Sequence, residues 1–129
     1  MVGGRAGPPA DPPAGAVVVV AMEWVRLRER VAFQEGKMAR HLLAATSRCQ
    51  ADLYCLHPGQ AQAVHTHNDQ DKLYVGVEGV GRVRVGEEEQ RLEPGVLVVA
   101  PAGVAHGLDN PSDAPLVVLV VVVPPPRHA

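Results

Sequence analysis

The chain has 129 residues, enough for one domain and too few for two comfortable ones. Hydrophobic residues make up 47% and charged residues 20%, which excludes wholesale disorder, while aromatics at 3% leave the core to Val, Leu and Ala. The net charge of −2 argues against a protein built to neutralise nucleic-acid phosphates, and two cysteines cannot make a disulfide framework.

Residues 1–15 are Gly, Pro and Ala with one Arg and one Asp. Such a stretch buries too little apolar surface to offset its chain entropy, so a flexible tail is expected there. Residues 16–129 are expected to form a single domain. The apolar run 16–21 is far shorter than the roughly 20 residues a membrane span needs. Pro8, Pro9, Pro12 and Pro13 separate it from Arg5, which argues against a signal peptide. The reading is a soluble, cytoplasmic protein with reduced thiols and no membrane partner. Residues 23–35 carry Trp24, Leu27, Val31 and Phe33 among Arg and Glu, a weak amphipathic pattern. It predicts a short helix, or a strand that packs on the body. The mixed charges of Arg26, Arg28, Glu29 and Arg30 fit a solvated face.

From about residue 37 short apolar runs recur, each closed by turn residues such as Pro58-Gly59, Glu78-Gly79, Pro94-Gly95 and Asn110-Pro111. Strands are expected near 38–45, 49–57, 61–66, 71–78, 81–86, 89–92, 96–100, 104–109 and 115–123. Punctuation every 8 to 12 residues or so predicts an all-β sandwich or barrel rather than a βαβ fold. The last run is apolar on both faces. A bare apolar face usually marks a partner surface, so a homodimer is expected. The alternative is that the N-terminal segment covers this face within one subunit.

His65-Thr66-His67 follows Pro58-Gly59. On a strand, residues i and i+2 point to the same side, so both imidazoles face one interior. His106 follows the turn at Pro101-Ala102-Gly103, and a later strand of a barrel can bring it opposite the first pair. Three neutral imidazoles in a cavity suit a divalent transition ion: Fe, Mn, Ni, Cu or Zn.

Gly59-x5-His65-x-His67 followed by Gly79 resembles the first motif of the cupin superfamily. Gly95-x5-Pro101-x-Gly103-x2-His106-x3-Asn110 resembles the second motif at every named position. The two motifs span residues 59–110. The resemblance implies a small single-domain cupin: a double-stranded β-helix (jelly-roll) barrel with metal ligands at His65, His67 and His106. One position departs. The first motif normally supplies a Glu ligand seven residues before its closing Gly, and that column holds Lys72. An ammonium cannot ligate a metal. Three outcomes are open. Water, Gln70 or Asp71 completes a three-His shell. Lys72 pairs with Asp69, Asp71 or Glu78 and leaves the site intact. Or the metal is lost, and a Lys/His pocket binds an anionic small molecule. Tyr74, two residues on, shares the Lys72 face and is a candidate to orient a ligand.

Two functions follow. One is a metal-dependent small-molecule enzyme, dioxygenase-, isomerase- or decarboxylase-like by resemblance, with Lys72 and Tyr74 as candidate catalytic groups. The other is a non-catalytic module binding a small molecule or anion. Cys49 and Cys55 are read as buried inert thiols sharing a strand face. His41, His57 and His128 lack partners at ligand spacing. No G-x-S-x-G elbow or nucleotide glycine fingerprint occurs.

Overall fold

The computed structural model describes residues 22–126. The tail expected over 1–15, the run 16–21 and His128 lie outside the described residues. A short 3-10 helix, Leu27–Arg30, leads into strands β1 (Ala39–Ala45), β2 (Gln50–Leu56), β3 (Ala61–His65), β4 (Asp71–Glu78), β5 (Gly81–Val85), β6 (Glu88–Leu92), β7 (Leu97–Ala100), β8 (His106–Asp109) and β9 (Leu116–Val123). All nine expected strands form, with ends within two residues of expectation. They make two antiparallel sheets, β1-β2-β9-β4-β7 and β3-β8-β5-β6, the all-β jelly-roll architecture.

Alternation along the strands builds the core between the sheets. Tyr54 and Leu56 of β2, Tyr74 of β4, Val83 of β5, Leu92 of β6 and Leu108 of β8 are buried there. From β9, Leu116, Val118, Val120 and Val122 join them. Strand β9 is central in its sheet and apolar throughout: its inward residues are buried, and on its outer side Val117 is buried while Leu119 and Val121 are only half-buried. Its outward Val117 packs with Ala39, Leu53 and Cys55 under Val31 and Phe33.

The 23–35 segment is therefore neither a full helix nor a strand. It is a strap with one 3-10 turn, laid over half of the outer face of the larger sheet. Three hydrogen bonds fasten it: Arg30 donates to the Leu42 carbonyl at 2.9 Å, His41 Nε2 to the Ala32 carbonyl at 2.8 Å, and Gln60 to the Gln34 carbonyl at 2.9 Å. His57 packs its ring on Phe33, centroids 4.9 Å apart. The other half of the outer face stays open, with Leu97 55% and Val99 50% exposed.

Two motif residues serve the fold rather than the site. Gly79 turns β4 into β5 at φ +78°, and a Cβ there would lie 2.1 Å from the Pro115 carbonyl oxygen, so only glycine fits. Asn110 is buried and donates to the carbonyls of Leu56 at 3.1 Å and Ala114 at 2.8 Å, which closes the β8–β9 loop. Cys55 is buried on the outer face of β2, away from the barrel interior, whereas Cys49 precedes β2 in the Thr46–Cys49 turn and is half-buried. The expected shared strand face therefore does not form, because the turn holds Cys49 and the strand begins only at Gln50. No helix among the described residues is long and apolar enough to cross a membrane.

Candidate functional site

His65 and His106 are direct cross-strand neighbours on β3 and β8, and their ring centroids lie 4.4 Å apart. His67 follows two residues after His65, its ring 4.7 Å from that of His65 and 6.0 Å from that of His106. The stretch that carries His67 is tied to the second-motif turn, because Gly103 N–H donates to the His67 carbonyl at 2.8 Å. The three imidazoles thus cluster, but β3 ends at His65, so His67 joins the other two from the loop beyond the strand and not from the shared strand face that the spacing predicts.

Their tautomers follow from their partners. Nδ1 of His65 contacts the Ala63 carbonyl at 2.8 Å, and Nδ1 of His106 contacts the Val104 carbonyl at 2.9 Å. A carbonyl oxygen only accepts, so each Nδ1 carries the hydrogen and each Nε2 keeps its lone pair. Burial holds both imidazoles below their usual range, with Lys72 and the neighbouring histidines adding to the effect and the backbone carbonyls opposing it. Among the described residues, Nε2 of His106 is the buried side-chain polar atom that lacks a hydrogen-bond partner. As the side chains stand, no three His, Cys, Asp or Glu groups among the described residues are arranged to hold one ion. His67 is the exposed member of the trio.

Lys72 points into the barrel and is buried. Its ammonium contacts the Tyr54 hydroxyl at 3.4 Å and lies 5.7 Å from the ring centroids of both Tyr54 and Tyr74. Among the described residues it has no carboxylate within ion-pair distance, so the pairing with Asp71 or Glu78 does not form; both of those side chains are exposed on the strand's other face. Burial pushes its pKa down to about 8, the Arg40 guanidinium acts in the same direction, and Asp52 opposes.

Tyr74 also faces inward, its ring 6.4 Å from that of His106. Burial pushes its hydroxyl well up, so it remains a phenol and donates to Gln62 Oε1 at 2.9 Å. Gln62 in turn donates to the Tyr54 hydroxyl at 3.3 Å. Gln70 and Asp71, the candidates to complete a metal shell, are engaged elsewhere. Gln70 donates to the Pro124 carbonyl at 3.3 Å, and Asp71 accepts from Ala102 N–H at 2.9 Å, bracing the second-motif turn.

Four residues of this network carried no sequence expectation or little: Asp52, Tyr54, Gln62 and Arg40. Asp52 and Tyr54 had a usable signal, because polar groups at i and i+2 of an otherwise apolar strand share one face. Gln62 had none. It stands three residues before His65, which by simple alternation sets it on the opposite face. A register shift between Gln62 and His65 turns both inward.

Comparison with known proteins agrees with this architecture. An uncharacterised protein of Streptomyces coelicolor is 40% identical over 73 residues, covering 57% of this chain and 68% of the relative. The crystal structure of TT1209 from Thermus thermophilus superposes with a TM-score of 0.79 at 46% identity, over 81% of this chain and all of that one. A Klebsiella pneumoniae protein with a double-stranded β-helix domain superposes with a TM-score of 0.74 at 24% identity, over 81% of this chain and 91% of its own, and shows the same fold. Residues 52–122, more than half of the sequence, match the cupin domain family, and the chain is a member of it.

Proposed function

We propose that the barrel interior is a small-molecule site in which His65, His67 and His106 take up a divalent transition ion and Lys72, with Tyr54, Gln62 and Tyr74, shapes and orients the bound molecule. The observation that carries this is the unpartnered Nε2 of His106. A buried polar atom without a partner costs about 1–3 kcal/mol, and an ion or ligand atom at that position would remove the cost. The donor chemistry fits: neutral imidazoles, Nδ1 tethered to carbonyls, Nε2 lone pairs free. Closing the shell asks for movement of His67, the exposed ring, while His65 and His106 stay tethered. An ion held there would act as a Lewis acid or activate water or dioxygen. Lys72 brings a cation to a ligand carboxylate, and the Tyr74 phenol fixes the Gln62 amide. Enzymatic turnover belongs to this reading.

Elemental analysis of the purified chain, before and after reconstitution with Fe(II), Mn(II), Ni(II), Cu(II) and Zn(II), tests it. About one ion per chain, lost in a His65→Ala/His106→Ala double variant, is expected. No ion in either protein after every reconstitution would overturn it.

A second reading rests on Lys72, a buried cation without a carboxylate partner in the column where the family carries a metal-binding Glu. On this reading the barrel is a non-catalytic module for an anionic small molecule, and His106 Nε2 accepts from that ligand. The same proposal holds the chain to be a homodimer through the open outer face, in a reducing cytoplasmic setting that suits its free thiols.

A further inference from the structure

The barrel contains more cationic than anionic groups beyond the histidines. Asp52 is the buried carboxylate on this side of the core, and Gln50 Nε2 donates to both its oxygens at 3.1 Å. Against it stand Lys72 and Arg40. The Arg40 guanidinium carbon lies 5.4 Å from the Tyr54 ring centroid, and the Lys72 ammonium lies 5.7 Å from the same centroid. A buried cation and an exposed one thus both lie within 5.7 Å of the centre of one aromatic ring. Arg40 also lines a cavity of about 440 Å³ between β1 and β3, together with Lys37, Met38 and Gln62. No carboxylate lines this cavity, and neither Arg40 nor Lys37 forms an ion pair among the described residues. Gln62 reaches both regions: it lines the cavity and bonds both tyrosine hydroxyls beside Lys72.

The buried Lys72 ammonium is costly unless an anion meets it, and the exposed Arg40 fork recognises a carboxylate with geometry as well as charge. A monoanion satisfies one of the two stations. Two monoanions can fill both stations separately, but a molecule with an anionic group at each end fills both with a single association cost.

We propose that the ligand of this barrel is an elongated dianion, a dicarboxylate in the simplest case, with one carboxylate at Lys72 and the Tyr54 hydroxyl and the other at Arg40 and Lys37 on the rim. This rests on the small-molecule reading above and deepens it by naming the ligand class. It needs no metal in the barrel, so the two fail separately.

The test is calorimetric titration of the full chain, metal-loaded and chelator-treated, with succinate, glutarate and adipate against butyrate, valerate and hexanoate. At least one dicarboxylate is expected to bind about tenfold or more tighter than the monocarboxylate of its own length, the size of effect that one charge-assisted pair brings. Arg40→Gln, at an exposed position that leaves the fold intact, is expected to bring that dicarboxylate down to the monocarboxylate level while leaving the monocarboxylate unchanged. Lys72→Met is expected to weaken both. The proposal is overturned if no dicarboxylate outbinds its counterpart, or if Arg40→Gln keeps the preference. The metal content of the same samples reports on the histidine site independently.

Discussion

Lys72 is where the chemistry of a single side chain has the widest consequences. Its ammonium is buried among two tyrosines, with its pKa down to about 8 from an ordinary 10.5. Between those two pH values the unfolded chain holds the proton that the folded chain has released, so this group's contribution to stability rises with pH there. Below about pH 8 the penalty is present in full. Lys72→Met fills the same space without the charge. It is expected to stabilise the fold by about 1–3 kcal/mol at pH 7 while weakening anion binding. The gap between the two proteins should narrow as the pH rises from about 8 towards 10.5. Thermal unfolding across that range measures it, and a less stable variant or a flat difference would contradict the account. At this scale the sequence was informative wherever simple alternation held. His65 by its strand, and Lys72 with Tyr74 by parity, face the interior, whereas His67 lies past the end of β3 and stays exposed beside them. Gln62 was not legible, because a bulge is a property of two paired strands and leaves no mark on one.

Among the elements, the strap and β9 explain each other. Strand β9 is apolar on both faces: its inner side lines the core, and the strap covers part of its outer side. Strand positions were legible because Gly and Pro punctuate the runs, and turn chemistry is local. The strap was not. Its few apolar residues are spaced for neither helix nor strand, and its course is set by tertiary bonds from His41, Gln60 and Arg30. The same bonds assign roles to His41 and His57, which ligand spacing had left unexplained. Phe33→Ala should cost about 2 kcal/mol, less than for a fully buried ring, since Phe33 is half-buried. It should also uncover Cys55. In the parent protein, thiol labelling should modify the half-buried Cys49 quickly and Cys55 slowly, because Cys55 is buried with its thiol pKa raised by that burial. In the variant the Cys55 rate should rise about tenfold or more. Unchanged labelling would mean that the strap does not protect this face.

At the scale of the whole molecule, the proposed dimer rests on the open half of the outer sheet. Cross-strand rows Leu97–Val75–Leu119 and Val99–Leu73–Val121 give it an apolar texture that the strap does not reach. A continuous apolar face of this kind usually meets a partner, and a two-fold pair would bury it against itself. Light scattering after gel filtration should therefore give twice the 13.7 kDa chain mass, and a Leu97→Glu/Val99→Glu variant should return to the chain mass. A monomeric parent protein at tens of micromolar would contradict the dimer. The fold itself was legible from end to end of the motif region, since tight turns and ligand spacing are local signals. The polar network around Lys72 was not, because Arg40, Tyr54, Gln62 and Lys72 come from four different strands and meet only when the sheets close.

The most direct test of the histidine site is long-range ¹H–¹⁵N correlation of the imidazole rings during titration with Zn(II). In the metal-free protein, His65 and His106 should show hydrogen on Nδ1 and a lone pair on Nε2, as their carbonyl partners require. One equivalent of Zn(II) should shift the Nε2 signals of His65, His67 and His106 together and leave the Nδ1 hydrogens in place. Nε2 signals that stay put through one equivalent would contradict the metal site and leave Lys72 as the centre of an anion-binding barrel.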